Sequence, residues 1–478
     1  MLLGPTHVDF NVTNACNLAC VHCHSASGRR LNNELTTREI FPVLDQLYEL
    51  GVLSIAFAGG EPFSRHDIID ILSYACNHRA WVVSVITNGL ALEQESIRHE
   101  LKSRCPNLVI NISLDGSNPS SLSNTRRFAS PQSDANALFK RVTRSIKFAV
   151  EAGFMTSVNY SLTKHTLADL SNTYKLSIDS LGAFGMVAIK FFPEGYGKLH
   201  RNDLEIPYGI WSSFFRDLTR LRLAGDFRYL QISVPSAWEF YLPLIEHDID
   251  VGMAEEIWGY RSPLRDTFFS SSWVRGDTSG ITELAINSDG TVFPSVLFCG
   301  QPQFACGNVR NASLSEIWVV STILTKIRII SSTTLATPCC ECHLQSTCGS
   351  GSRARAAVIT GTLDAVDPCC PLAASSSDRL LSTCQIRPKT RIERRLVRTV
   401  TCTFKGRSFR ILYSGDYAEI RIGQNVIHCG RAVADGVEST CRQPEAGVSG
   451  NRLTIFSILN FIAAAHNPRV DSTPVASS

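Results

Sequence analysis

The sequence predicts an α/β fold: a partial (β/α)6 TIM-like barrel, then a small cysteine-rich α+β domain and a short β-rich C-terminal domain. Three observations carry this. Over residues 1–205, short apolar runs alternate with amphipathic stretches that close on glycine. Cysteines gather at 16–23, 299–306 and 339–370 instead of scattering in pairs. Beyond 397 the pattern turns to short, closely spaced alternating runs.

The strand candidates of the barrel are "HVDFNV", "LSIAFAG", "WVVSVITNG", "LVINISLDG", "TSVNYSL" and "MVAIKFFP". Helical segments such as "TREIFPVLDQLYELG" and "LFKRVTRSIKFAVEAG" lie between them, with apolar residues three and four apart. Six such units imply a parallel sheet with helices outside, whose active site forms at the carboxyl ends of the strands. Residues 206–275 mix aromatics with acids and read as a bridge covering the barrel mouth. A cysteine-rich domain over 276–375 opens with "ITELAINSDGTVFP", a hairpin turning at Asp289-Gly290. A linker over 376–396 follows, then a β-rich domain at 397–466 with a meander and a final helix ("LTIFSILNFIAAAH"), and a disordered tail at 467–478.

Composition narrows the function classes. Hydrophobic residues make up 44% and charged residues 19%, an ordinary globular balance. No apolar run reaches membrane-spanning length, and "MLLGPTHVDF" lacks the build of a signal peptide, so the expected location is the cytoplasm, with no membrane partner. A net charge of +3 is too weak to imply nucleic acid. Seventeen cysteines, most of them clustered, point in such a setting to metal or iron–sulfur ligation rather than disulfides.

Cys16-x3-Cys20-x2-Cys23 sits in a loop directly after the first strand. Such a loop can wrap three thiolates around one [4Fe–4S] cube and leave the fourth iron open. A zinc site with His22 or His24 as fourth ligand is the alternative.

"CNLACVHC" after the first strand, with "AGGEP" after the second, resembles the radical S-adenosylmethionine superfamily over roughly residues 7–200. The resemblance implies a cluster on Cys16, Cys20 and Cys23 whose open iron holds S-adenosylmethionine, and abstraction of a hydrogen atom from a substrate. It also implies cofactor contacts in order along the strands: Gly59, Gly60 and Glu61, with Glu61 accepting from the methionine ammonium; then Asn88; Ser113 and Asp115; Arg126 or Arg127; and Asn159. His22 stands where the family often has an aromatic beside the adenine. Glu194 in "FFPEGYG" and Asp277 in the bridge are the acid–base candidates.

The second cysteine group resembles the SPASM extension of such enzymes. Cys339-x2-Cys342-x5-Cys348, followed by "LDAVDPCC", matches its central pattern. Where the family has further cysteines, this chain has Ser295, Ser352 and, over 274–280, "VRGDTSG". Those are the ligand positions of the nearer auxiliary cluster. The resemblance therefore implies one auxiliary [4Fe–4S] cluster, held by Cys339, Cys342, Cys348 and Cys370 (or Cys369). Cys299, Cys306 and Cys340 leave open a rebuilt nearer cluster.

Most enzymes of this architecture act on peptides. The leading expectation is a maturase that modifies a precursor-peptide side chain, supplied with electrons by a low-potential donor such as flavodoxin or ferredoxin. The alternative is a small-molecule substrate, a tetrapyrrole or sugar nucleotide. A third reading is a non-catalytic iron–sulfur protein.

Overall fold

The structure is a computed structural model that describes residues 4–77, 82–129, 134–259, 277–330, 338–342, 344–374, 398–404, 407–414, 417–422, 425–430, 438 and 441. Residues 1–77, 83–265 and 269–388 form one compact unit; the rest, chiefly 389–478, form a second. The expected linker, final helix and tail lie outside the described residues.

All six expected barrel strands form: β1 (His7–Thr13), β2 (Ser54–Gly59), β3 (Val82–Thr87), β4 (Val109–Ser113), β5 (Met155–Leu162) and β6 (Gly185–Lys190). A seventh, β7 (Leu230–Ser233), pairs parallel with β6 from within the bridge. The hairpin β8 (Glu283–Ile286) and β9 (Thr291–Phe293) turns at the expected place, with Gly290 at φ 84°. Yet β8 also pairs in parallel with β1. With β10 (Gly307–Asn308) the described sheet runs β10-β9-β8-β1-β2-β3-β4-β5-β6-β7. The cysteine-rich segment thus extends the barrel sheet, and sheet hydrogen bonds cross the boundary expected at 275/276.

The helices form where their caps and apolar stripes indicate. Thr36 and Glu39 close a capping box at the head of helix Thr37–Glu49, which buries Ile40, Val43, Leu44 and Leu47. Asp134 caps helix Ala135–Glu151, which buries Leu138, Val142 and Ile146. The strands alternate accordingly. Val8, Phe10, Ile55, Phe57, Ile110, Ile112, Val158 and Tyr160 are buried on one face, and Gly89 lies between Ile112 and Ser145 of helix Ala135–Glu151. The intervening residues face the barrel interior. These include Asp9, Asn11, Ala56, Ala58, Asn111, Ser113, Ser157, Asn159, Ser161, Val187, Ile189 and Ala285, in register from strand to strand.

Among the described residues of the bridge, four aromatics pack against one another. Helix Tyr208–Leu223 stacks Trp211 on Phe215, one turn apart, with ring centroids at 5.4 Å. Phe240 and Trp258 join them at 5.3 and 5.9 Å from Phe215. All four are buried, because residues at i and i+4 share the face that the following helices cover. A second apolar cluster, including Phe192, Phe293, Phe298, Phe304, Ala354 and Leu363, joins the sixth-strand turn to the cysteine-rich segment.

The second unit holds an antiparallel meander, β11 (Arg398–Phe404), β12 (Arg407–Ser414), β13 (Tyr417–Ile422) and β14 (Asn425–Gly430). Val400, Cys402, Phe409, Ile411 and Ile420 are buried there.

Candidate functional site

The loop carrying Cys16, Cys20 and Cys23 is fixed on several sides by backbone bonds. Cys16 N donates to Gly28 O at 2.9 Å, Ala19 N to Arg127 O at 2.8 Å, and Tyr196 N to Cys23 O at 2.8 Å. The segments after β1, β4 and β6 therefore meet at the three thiols. All three are free and part-buried. Burial pushes the Cys16 thiol up to about 11 and the Cys20 thiol up to about 12, and neighbouring thiolates add to this. Three thiolates persist together only when a cation compensates them, so the donor set fits an iron–sulfur cluster.

The glycines of "AGGEP" approach the cysteine loop itself. Gly59 has φ 127°, and a Cβ there would lie 2.4 Å from Thr13 O; at Gly60 it would lie 2.1 Å from Ala15 O. Their backbone continues the β1 pairing, with Gly60 N donating to Thr13 O and Glu61 N to Ala15 O, both at 2.7 Å. Glu61 is buried. Its Oε1 accepts from Thr87 Oγ1 at 2.7 Å and Phe63 N at 3.1 Å, and its Oε2 from Asn88 N at 2.8 Å. The carboxylate expected to meet the methionine ammonium thus also ties the ends of β2 and β3 together. Asn88 in turn donates to Asn17 Oδ1 at 2.7 Å.

Asp115 is fully buried at the end of β4. Its Oδ2 accepts from Arg126 Nε at 2.5 Å and lies 3.5 Å from His22 Nε2, while Oδ1 accepts from Ser161 N at 2.7 Å. Burial opposes ionisation, but the Arg126 guanidinium holds the carboxyl below its usual range. Arg126 Nη1 also lies 3.8 Å from Cys20 Sγ. Of the two arginines, then, Arg126 reaches a cluster thiol, whereas the Arg127 side chain is exposed and donates to the backbone of the same loop, at Ala19 O, 3.4 Å. Burial pushes His22 down to about 4, so its ring is neutral. Ser113 and Asn159 stand opposite each other across β4 and β5.

The two acid–base candidates have different surroundings. Glu194 is buried beside the cysteine loop, and its Oε1 accepts from Gln301 Nε2 at 3.0 Å. Asp277 accepts from Ser279 N at 2.9 Å and from Arg353 N at 2.6 Å, which fastens its loop to helix Arg353–Thr360. Asn17 and Ser25 were not singled out in the sequence. Ser25 Oγ sits 3.4 Å from Cys23 Sγ and donates to Gly59 O at 3.3 Å. Asn17 lies inside the cysteine motif and Ser25 two residues beyond it, and that proximity is the available signal.

In the cysteine-rich segment, Cys339, Cys342, Cys348 and Cys370 line one pocket together with Trp238, Pro338, Leu372 and Ala373. Gln345 and Ser350 complete the lining, and four thiols on one cavity fit an iron–sulfur cube. Among the described residues, no three His, Cys, Asp or Glu side chains converge as ligands of a single ion would. Cys369 points elsewhere, with Sγ 3.5 Å from both Arg201 Nη2 and Glu205 Oε1. Cys340 is exposed.

The ligand positions expected for a nearer cluster are filled by hydrogen-bonded serines. Ser279 Oγ donates to Ser295 Oγ at 2.8 Å, and both are buried. Ser352 is fully buried, accepts from Arg355 N at 3.2 Å as a helix cap, and donates its N–H to Ser236 Oγ at 2.9 Å. Cys299 Sγ lies beside Asn11 Nδ2 at 3.7 Å, and Cys306 Sγ beside Phe304 O at 3.9 Å.

Residues 10–177 match the family described as the Radical SAM superfamily, and residues 279–344 match SPASM, an iron-sulfur cluster-binding domain. The AdoMet-dependent heme synthase of Methanosarcina barkeri is 25% identical over 77% of this chain and 97% of its own length. The mycofactocin maturase MftC of Mycobacterium ulcerans is 32% identical over 38% of this chain and 46% of its own. Among solved structures, Streptococcus suis SuiB bound to precursor peptide SuiA shares the fold with a TM-score of 0.59. It is 18% identical over 77% of this chain and 76% of its own. The chain carries a domain of the radical S-adenosylmethionine superfamily over residues 10–177 and a SPASM domain over 279–344, which imply S-adenosylmethionine and [4Fe–4S] clusters as its cofactors.

Proposed function

We propose that this protein is a peptide-modifying radical enzyme that takes a hydrogen atom from a precursor-peptide side chain held inside the barrel. When bound, the cluster on Cys16, Cys20 and Cys23 and its S-adenosylmethionine supply the hydrogen-abstracting radical. Arg126, held by Asp115, balances negative charge at Cys20. Glu61, Asn88, Ser113 and Asn159 rim the cofactor's seat, beside the neutral His22. One auxiliary cluster sits on Cys339, Cys342, Cys348 and Cys370, and a flavodoxin- or ferredoxin-like donor reduces the protein.

The observation that carries the substrate class is the chemistry of the barrel interior. The inward positions named above are amides, hydroxyls, small apolar groups and Asp9; none is Lys or Arg. Amide and carboxylate acceptors suit the N–H groups of a peptide. They are poorer hosts for a molecule bearing several carboxylates, since none of these positions offers a Lys or Arg and the nearby Arg126 is already paired with Asp115.

A second reading, a tetrapyrrole substrate, is favoured by the match to nearly the whole length of the heme synthases. About a quarter of this chain has no counterpart in that relative.

The test is anaerobic formation of 5′-deoxyadenosine by reconstituted protein with S-adenosylmethionine and dithionite. Deuterated short peptides encoded beside its gene are compared with iron-coproporphyrin III. Deuterium passing from a peptide into 5′-deoxyadenosine is the expected result; stimulation by the porphyrin alone would replace this reading with the second.

A further inference from the structure

Two buried acceptor oxygens stand near Cys299 without a partner: Asn11 Oδ1 and Glu194 Oε2. Asn11 is 5% exposed and Glu194 3%. A buried oxygen left without a donor is costly, and native proteins keep few of them.

The orientation of Asn11 is fixed by its neighbours. Its Nδ2 donates to Asn287 Oδ1 at 2.9 Å and lies 3.7 Å from Cys299 Sγ, while Asn287 Nδ2 is engaged with Cys299 O at 3.4 Å. Turning the Asn11 amide over would set two oxygens against each other, so Oδ1 is the atom left open. Glu194 is as closely held. Its Oε1 receives Gln301 Nε2 at 3.0 Å and packs so tightly that a Cβ on Gly300 would lie 2.1 Å from it. The backbone beside it is pinned to the cluster loop, since a Cβ on Gly195 would lie 2.3 Å from His24 O and Tyr196 N donates to Cys23 O. One acceptor thus comes from the carboxyl half of β1 and the other from the turn after β6, both adjoining the radical-cluster loop.

We propose that Asn11 and Glu194, flanking Cys299, form a substrate-positioning subsite whose two open oxygens accept N–H donors, such as peptide amides or an ammonium group. This rests on the reading that substrate sits in the barrel, and it deepens the peptide assignment. Asp9, on the same inward face of β1, adds negative charge nearby. The subsite therefore selects a donor-bearing or cationic group and disfavours a carboxylate.

The experiment compares wild-type protein with Glu194→Met, which keeps the side chain's length and removes both oxygens. Two quantities are read on anaerobically reconstituted protein: the apparent melting temperature without substrate, and retention of a pool of heptapeptide amides beside iron-coproporphyrin III. The melting temperature serves as the folding control: E194M loses the Gln301 bond to Oε1 together with the unsatisfied Oε2, and these opposing changes keep it within about 4 °C of wild type. If Oε2 is open for a ligand, E194M lowers peptide retention about tenfold, the size of one charge-assisted hydrogen bond. Retention unchanged in a folded E194M overturns the subsite, since neither oxygen would then meet the ligand. If wild type retains only the porphyrin and E194M releases it, the subsite stands and the peptide reading falls.

Discussion

The cysteine-rich segment contains two places where its family holds iron–sulfur clusters, and this chain has treated them in opposite ways. At the distal place, four thiols, with Trp238, Pro338, Leu372, Ala373, Gln345 and Ser350, surround a pocket. At the nearer place, serines stand at the positions that the resemblance assigns to ligands and bond to each other and to the backbone, with the Cys299 thiol 3.8 Å from Ser295 O. The difference teaches that a position able to carry a ligand can carry structure instead. Ser279, Ser295 and Ser352 belong to a polar network that also anchors helix Arg353–Thr360 through Asp277 and Ser352.

The comparison with the radical-cluster loop gives the largest expected effect. Cys16→Ala/Cys20→Ala/Cys23→Ala abolishes reductive cleavage of S-adenosylmethionine while the distal cluster remains visible by Mössbauer spectroscopy. Cys348→Ala is expected to do the reverse: distal cluster signals are lost, and slow substrate-independent cleavage survives as 5′-deoxyadenosine. Cleavage that disappears equally in both would mean that the two sites do not act separately.

Arg126→Leu removes the partner of a buried carboxylate. It is expected to cost about 3–5 kcal/mol in chemical denaturation, because Asp115 is left charged without compensation. Arg127→Leu, one residue away and exposed, should change stability by less than about 0.5 kcal/mol.

The serine network sharpens the comparison at smaller scale. Ser279→Ala strands the Ser295 hydroxyl and is expected to cost about 1–2 kcal/mol. Adding Ser295→Ala should recover part of that loss, since neither hydroxyl is then left alone. Simple additivity of the two would argue that the pair is not a unit.

The smallest effect is on pH dependence. Burial first, then Asp9, pushes Glu283 up to about 7, with His7 and Thr278 beside it. A carboxyl raised in the folded state binds more protons there than when unfolded. Stability is therefore full below about 4.5, the unfolded value, and falls as pH rises through about 7. Glu283→Gln should flatten that slope in melting curves taken across this window.

Much of this was legible in the sequence where chemistry is local. Three thiols in one loop and the order of polar motifs after successive strands can be read from spacing, and the serines at cysteine positions from the resemblance to the SPASM pattern. What was not legible depends on contacts distant in the chain. The four residues of β7 carry too little pattern to stand out among the aromatics of the bridge. The β1–β8 pairing joins residues some 275 positions apart. Neighbouring candidates separate only in space: Arg126 turns toward Asp115 and Arg127 toward solvent, and Cys370 faces the pocket while Cys369 meets Arg201. Glu61 was read as a ligand contact, and its bonds to Thr87 and Asn88 emerge only when β2 and β3 lie side by side.

The central claim is one radical cluster and one auxiliary cluster, and the most direct test is the iron and sulfide content of anaerobically reconstituted wild-type protein. About eight irons per chain, falling to about four when Cys16, Cys20 and Cys23 are replaced together, is the expected result. About twelve irons in the wild type would contradict it, because a cluster would then occupy the region that the serines are taken to have closed.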